Sequence, residues 1–253
     1  MPTPTPEVTV HRGADRFRTV RGGVESRHSF SFGRHYDGAN TSYGVLVAHN
    51  EDVLQAGDGY RSHPHRDLEI LTWVLEGALL HEDSTGGSAL VTPGQVQRLS
   101  AGSGVVHSER HHDLGGAVGA RLHLVQMWVL PDRTGTTPRY DRVDVGPALA
   151  GGALVPVASG RAAHAGATPV RIASAGAALH VARLQPGRPV LLPEAPYLHL
   201  FVARGTVNLE GAGPLTAGDA ARLTSGGGQR IAATGPAEVL LWEMHTAPGP
   251  PTS

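Results

Sequence analysis

Two short pairs of side chains in this sequence could hold a metal ion. His63 and His65 form an H-x-H pair in "SHPHRDLEILTWVLEG", and His107 and Glu109 form an H-x-E pair in "SAGSGVVHSE". On a β-strand, residues i and i+2 project from the same face, so each pair sends both side chains the same way. If the two strands face one cavity, three imidazoles and one carboxylate can enclose a single ion. Such a mixed nitrogen and oxygen set suits Fe(II), Mn, Ni, Co or Zn better than Mg or Ca. Four protein donors leave two positions of an octahedron for water, substrate or dioxygen. Either pair alone is a weak signal, and a polar rim of hydrogen-bonded histidines would read the same way. Both pairs in one half of the chain, each on a strand bounded by glycines, favour the ion. Pro64 suits an edge strand or a strand start, where a missing N–H matters little.

The elements that must position these residues are strands. The chain has 253 residues with 34 Gly and 19 Pro, and its short Val/Leu-rich runs end in turn residues. This pattern predicts an all-β protein with many strands. "EILTWVLEG" and "GALLHED" read as a hairpin, and "GSALVTPGQVQRLSAG" as two runs around a Pro-Gly turn. The punctuation then repeats. "LTWVLEGALL" aligns with "LFVARGTVNL", and "LVTPGQVQRLS" with "PLTAGDAARLT". The repeat predicts a duplicated β-barrel, with a first unit over 1–132, a Pro/Gly/Thr-rich connection over 133–152, a second unit over 153–247 and a disordered tail over 248–253.

Composition removes several classes of function. The formal charge is −1, so no basic face for nucleic acid is implied, and with no cysteine there is neither a disulfide nor a thiolate site. The opening "MPTPTPEVTV" lacks the basic and apolar regions of a signal peptide, and no apolar run approaches the roughly 20 residues of a membrane span. A cytoplasmic monomer is the expectation.

The segment around His63 resembles the first motif of the cupin superfamily, with Gly57, His63, His65 and Gly77 in place. Gly104 and His107 match the G-x2-H of the second motif. Glu69 follows His65 at cupin spacing, but its distance to Gly77 departs from that pattern. Within cupins, "SRHSFSFG", "HPHRDLEILTWVLEGALLHEDS", "SAGSGVVHSE" and "LVQMWVLPD" resemble pirin segments in order over residues 26–132. The resemblance implies two tandem cupin barrels of jelly-roll type. It implies one divalent metal, Fe(II) first and Ni, Mn, Co or Zn as alternatives, held in the first barrel by His63, His65, His107 and Glu109. It implies flavonol cleavage of the quercetin 2,3-dioxygenase type, with an aromatic flavonol-like substrate, dioxygen, and release of carbon monoxide. Glu109 is then also a candidate general base for the flavonol proton. The alternative is a metal-binding regulator that acts on a transcription factor or metabolic enzyme through protein contact. In the second half, Leu191, Pro193 and Ile231 stand at the positions matching His63, His65 and His107. That barrel is expected to be metal-free, with His180 and His199 structural or exposed.

The remaining residues have plainer readings. Glu69 is either an outer hydrogen-bond partner of a ligand imidazole or an exposed carboxylate. Arg66 and Asp67 read as a surface pair, His81 and His123 as core or rim histidines, and His111 and His112 as a solvated loop. Trp73, Leu79, Leu122, Met127 and Trp128 read as packing. Gly77, Gly94, Gly102 and Gly104 serve turns, and Gly104 leaves room beside the ion.

Overall fold

Short apolar runs cut by Gly and Pro bury their apolar faces by pairing edge to edge and stacking in layers. The computed structural model describes residues 7–113, 115 and 121–247; the expected tail, 248–253, lies outside them. Among the described residues, strands are joined by turns and short 3-10 pieces, so the chain is mostly β. No helix among them is long and apolar enough to cross a membrane.

The strands form two seven-stranded and two four-stranded sheets. In the first half the large sheet runs Arg139–Asp144, Gln95–Ser100, Glu69–Glu76, Leu122–Val129, Leu46–Leu54, Val24–His28, Phe17–Arg21. Its small sheet runs Gly59–His65, Val105–His111, Leu79–Asp83, Ser88–Val91. In the second half the large sheet runs Glu7–His11, Ala220–Gly226, Ala195–Arg204, Ala237–Met244, Ala177–Leu184, Val155–Ser159, Val170–Arg171. The small one runs Val190–Leu191, Arg230–Ala233, Thr206–Leu209, Gly213–Thr216. Strand for strand, the two orders correspond.

Two edge strands depart from the linear reading. Glu7–His11 pairs with Ala220–Thr224, so the start of the chain closes the sheet of the second half. Residues 133–152, read as a connection, contain strand Arg139–Asp144, which pairs along Gln95–Ser100 of the first half. Edge strands bury little, so their apolar pattern is faint.

Alternation sorts the side chains of each large sheet. On Glu69–Glu76, Leu71, Trp73 and Leu75 join Met127, Phe201, Leu240 and Trp242 in an apolar layer between the two large sheets. Ile70 and Val74 point the other way, into the space between the large and small sheets of the first half. Trp73 Nε1 donates to Glu238 Oε1 across the layer at 2.8 Å, which satisfies a buried indole. At the hairpin after Glu76, Gly77 has φ 79° and a Cβ there would lie 2.6 Å from the Arg121 carbonyl oxygen. The turn therefore requires glycine.

Candidate metal centre

Strand Gly59–His65 pairs antiparallel with Val105–His111 and sets His63 opposite His107. The register slips between His107 and Glu109, so Tyr60 stands opposite Glu109. On its other edge Val105–His111 pairs with Leu79–Asp83, placing Asp83 opposite His107 and His81 opposite Glu109. The ring centroids of His63 and His107 are 4.5 Å apart, those of His63 and His65 4.8 Å, and those of His65 and His107 5.0 Å. One ring nitrogen from each of the three lies within 4.8 Å of the others.

These imidazoles could serve as ligands. Both ring nitrogens of His107 and Nε2 of His65 are buried without a hydrogen-bond partner. Each unsatisfied buried polar group costs about 1–3 kcal/mol, a penalty that a coordinated cation removes. His63 Nδ1 lies 2.7 Å from the Arg61 carbonyl oxygen. A carbonyl only accepts, so Nδ1 carries the proton and Nε2 keeps its lone pair for the ion. Burial, followed by the nearby histidines, lowers His65 to about 4; burial likewise lowers His107 to about 4. Both are neutral donors at neutral pH.

Glu109 is fully buried but lies off the three-histidine set. It shares His107 with a second group, in which one atom each of His81, His107 and Glu109 lies within 4.8 Å of the others. Gln97 Nε2 donates to Glu109 Oε1 at 2.9 Å, and Gln126 Nε2 donates to Oε2 at 2.6 Å. Those amides are held in turn. Tyr140 donates to Gln97 Oε1 at 3.0 Å, and Trp128 Nε1 donates to Gln126 Oε1 at 3.1 Å. Burial would raise the Glu109 carboxyl, but His81, His107 and Gln97 outweigh it and hold the group at about 2. His81 Nδ1 is 3.7 Å from Glu109 Oε1, and its Nε2 is 3.0 Å from Asp83 Oδ2. The histidine also stacks on Tyr140 at 4.6 Å. Burial, which would lower His81, is overcome by these two carboxylates, and its proton affinity is raised.

Several sequence readings change. His81 is no ordinary core histidine, because it touches the carboxylate of the candidate centre. Glu69 is buried, but alternation places it with Leu71 and Trp73 on the opposite face from the site; it accepts from Ser100 Oγ at 2.9 Å and orients no ligand. Asp67 accepts from the Gly135 N–H at 2.6 Å instead of pairing with Arg66. His111 is a buried strand residue, whereas His112 is exposed as expected. His123 faces away, 2.9 Å from Glu51. In the second half the residue opposite Ile231 is Val190, one position before Leu191.

Gln126 leaves a trace in the sequence as a polar residue inside the apolar run "LVQMWV", whereas Gln97 leaves none, because its strand "QVQRLS" carries other polar residues. Asp83 and Tyr140 leave none, because their roles depend on cross-strand register.

Comparison with known proteins bears on this arrangement. The Pirin family model matches residues 10–129. A Mycobacterium tuberculosis protein provisionally named a quercetin 2,3-dioxygenase is 46% identical over 245 residues, covering 97% of this chain and 98% of its own length. An Escherichia coli protein named quercetin 2,3-dioxygenase is 40% identical over 135 residues, 53% of this chain and 57% of its own. Among solved structures, that of the bacterial pirin YhhW from Escherichia coli in complex with nickel(II) superposes with a TM-score of 0.84 at 29% identity, over 95% of this chain and all (100%) of its own. The chain belongs to the pirin family.

Proposed function

We propose that the protein is a metal-dependent dioxygenase that opens flavonol-type rings, quercetin being the representative substrate. In the overall reaction one flavonol and one dioxygen give a depside and carbon monoxide. The observation that carries this reading is the convergence of His63, His65 and His107, with buried unpartnered nitrogens on two of them. The names of the relatives support the reaction class, and the nickel(II) complex of YhhW supports a divalent ion. In this reading the two sheet pairs are tandem cupin-type barrels, and His63, His65, His107 and Glu109 hold one ion in the first. The donor set fits Fe(II) and also Ni, Mn, Co or Zn.

When bound, such an ion supplies Lewis acidity and open positions for a substrate oxygen and dioxygen. The chain's own residues do the rest. A cavity of about 360 Å³, bordered by His65, Arg66, Gly104 and Val106, opens beside the histidines. Nothing lies within 4 Å of where a Gly104 Cβ would be, so this wall stays open. Trp128, 4.9 Å from the His65 ring, offers a flat apolar surface to a planar aromatic. Arg66, at the exposed edge, can pair with an ionised substrate hydroxyl. Glu109 is ionised throughout the physiological range. It therefore accepts a proton only from a hydroxyl that is itself made strongly acidic, and His81 is placed to share that proton.

The test is anaerobic reconstitution with Fe(II), Ni, Mn, Co or Zn in turn, followed by quercetin and air. Loss of the flavonol absorbance with an equivalent of carbon monoxide supports the proposal. Absence of both with every ion overturns it and leaves the regulatory alternative.

A further inference from the structure

We propose that the second half carries a metal site of its own, in which His164, His180 and Glu243 bind one divalent transition-metal ion, Zn(II) by preference, with water completing the tetrahedron. The donors come from three segments, the 3-10 turn Ala162–His164, strand Ala177–Leu184 and strand Ala237–Met244, and one atom of each of the three residues lies within 4.8 Å of the others. Glu243 is buried, and three imidazole Nε2 atoms converge on its carboxylate. His180 Nε2 is 2.7 Å from Oε2, His164 Nε2 is 4.0 Å from Oε2, and His245 Nε2 is 2.9 Å from Oε1. Tetrahedral zinc with bonds of about 2.0–2.1 Å sets its donors roughly 3.3 Å apart, within this spread. The His164 and His180 rings stand at 89° with centroids 5.3 Å apart, an arrangement that lets both aim at one point instead of stacking.

The ring of His164 is held from its far side. Its Nδ1 is 3.0 Å from Ser159 Oγ, whose single hydroxyl proton is directed to the Ala177 carbonyl oxygen at 3.4 Å. Ser159 Oγ also accepts from the Arg161 N–H at 3.0 Å, and the contact holds the His164 ring with Nε2 turned toward the carboxylate of Glu243. An imidazole whose far nitrogen is fixed by a hydroxyl is also the usual outer support of a metal-bound histidine. Arg161 donates to Glu243 Oε1 and neutralises part of its charge. That guanidinium competes with the ion and must turn outward when it binds. Two nitrogens and one oxygen leave a fourth position for water, and the ion clips the 3-10 turn to the sheet, while His245 stands on the other carboxylate oxygen.

These donors escape a residue-by-residue match to the first half because they use its other wall. The first-half histidines stand on the small sheet, whereas His180 and Glu243 stand on the large one. Strand order places Glu243, opposite Leu198, where the first half has Trp128 opposite Ile70.

The experiment uses the full chain with His63→Ala and His107→Ala together, which removes the first site and separates this proposal from the dioxygenase reading. After Zn(II) loading and desalting, elemental analysis is expected to give two zinc per wild-type chain and one per first-site variant. Adding His164→Ala, or His180→Ala if the former unfolds, is expected to bring the count to zero with the circular dichroism unchanged. Cobalt(II) in the first-site variant is expected to show the intense visible bands of tetrahedral coordination. Arg161→Ala is expected to tighten zinc binding about tenfold, a change of about 1.4 kcal/mol. A first-site variant that retains no zinc, or whose zinc is indifferent to both histidine changes, overturns the proposal.

Discussion

In the small sheet of the first half, Glu109 faces His81 and His111 faces Leu79; at the corresponding places of the second half, counted from the hairpin glycines Gly77 and Gly205, Ile231 faces Leu209 and Ala233 faces Val207. The large sheets differ in the same way. Thr72, Gln97 and Gln126 line the first interior around Glu109, whereas strand order puts Leu200, Ala221 and Leu241 at the equivalent positions of the second. One strand order thus supports two kinds of interior. The second is a continuous apolar core, in which each large aliphatic side chain contributes about 1.5–3 kcal/mol. The first divides its apolar residues into two smaller clusters with the polar centre between them. That centre is stable only as far as its polar atoms are satisfied, by the glutamine amides and by an ion. The apolar layer between the large sheets joins the half with the polar centre to the half with the apolar core.

The largest effect is expected from exchanging side chains between the two interiors. Ile231→His puts an unpartnered imidazole into the apolar core and should lower unfolding free energy by about 4 kcal/mol in a denaturant titration. His107→Leu in the first half should change the metal-free protein by less than about 1 kcal/mol, since it removes two unsatisfied nitrogens, while abolishing metal binding there. Equal penalties at both positions would erase the distinction. Next in size, Glu109→Gln should keep part of the metal but lower kcat at least about 100-fold; unchanged turnover would remove Glu109 from proton handling.

The boundary between the halves gives a pH effect. His49 and His199 meet there with centroids 4.9 Å apart and all four ring nitrogens unpartnered. Burial first, and then the charge of Arg16, lowers His49 to about 3. An unfolded histidine binds its proton near pH 6.5, so between about 6.5 and 3 the unfolded state holds the extra proton and stability falls as pH falls. From pH 7 to pH 5, wild type should lose about 2 kcal/mol more than His49→Leu; parallel losses would contradict this. Smallest of all, Gln126→Leu should weaken metal binding about tenfold by freeing one oxygen of Glu109, measurable by competition with a chelator.

The parts of this arrangement that rest on local chemistry are legible in the sequence. The H-x-H and H-x-E pairs follow from the two-residue period of a strand, and the Gly77 hairpin and the duplicated punctuation follow from turn chemistry. What depends on register between distant strands is not. Nothing near His81 in the sequence shows that it will face Glu109, and nothing in Glu7–His11 shows that it will complete a sheet formed some 200 residues later. Glu69 misleads for the opposite reason: its motif spacing is nearly right, but alternation turns it to the other face. His164, His180 and Glu243 meet only because two strands and a 3-10 turn pack together, and no local period connects them.

The most direct test is anomalous diffraction at the nickel edge from crystals of the protein loaded with Ni(II). A peak is expected in the first half, about 2.0–2.2 Å from a ring nitrogen of each of His63, His65 and His107, with a Glu109 oxygen completing the set. An empty position there, with those rings turned apart or the nickel bound only elsewhere, would contradict the account.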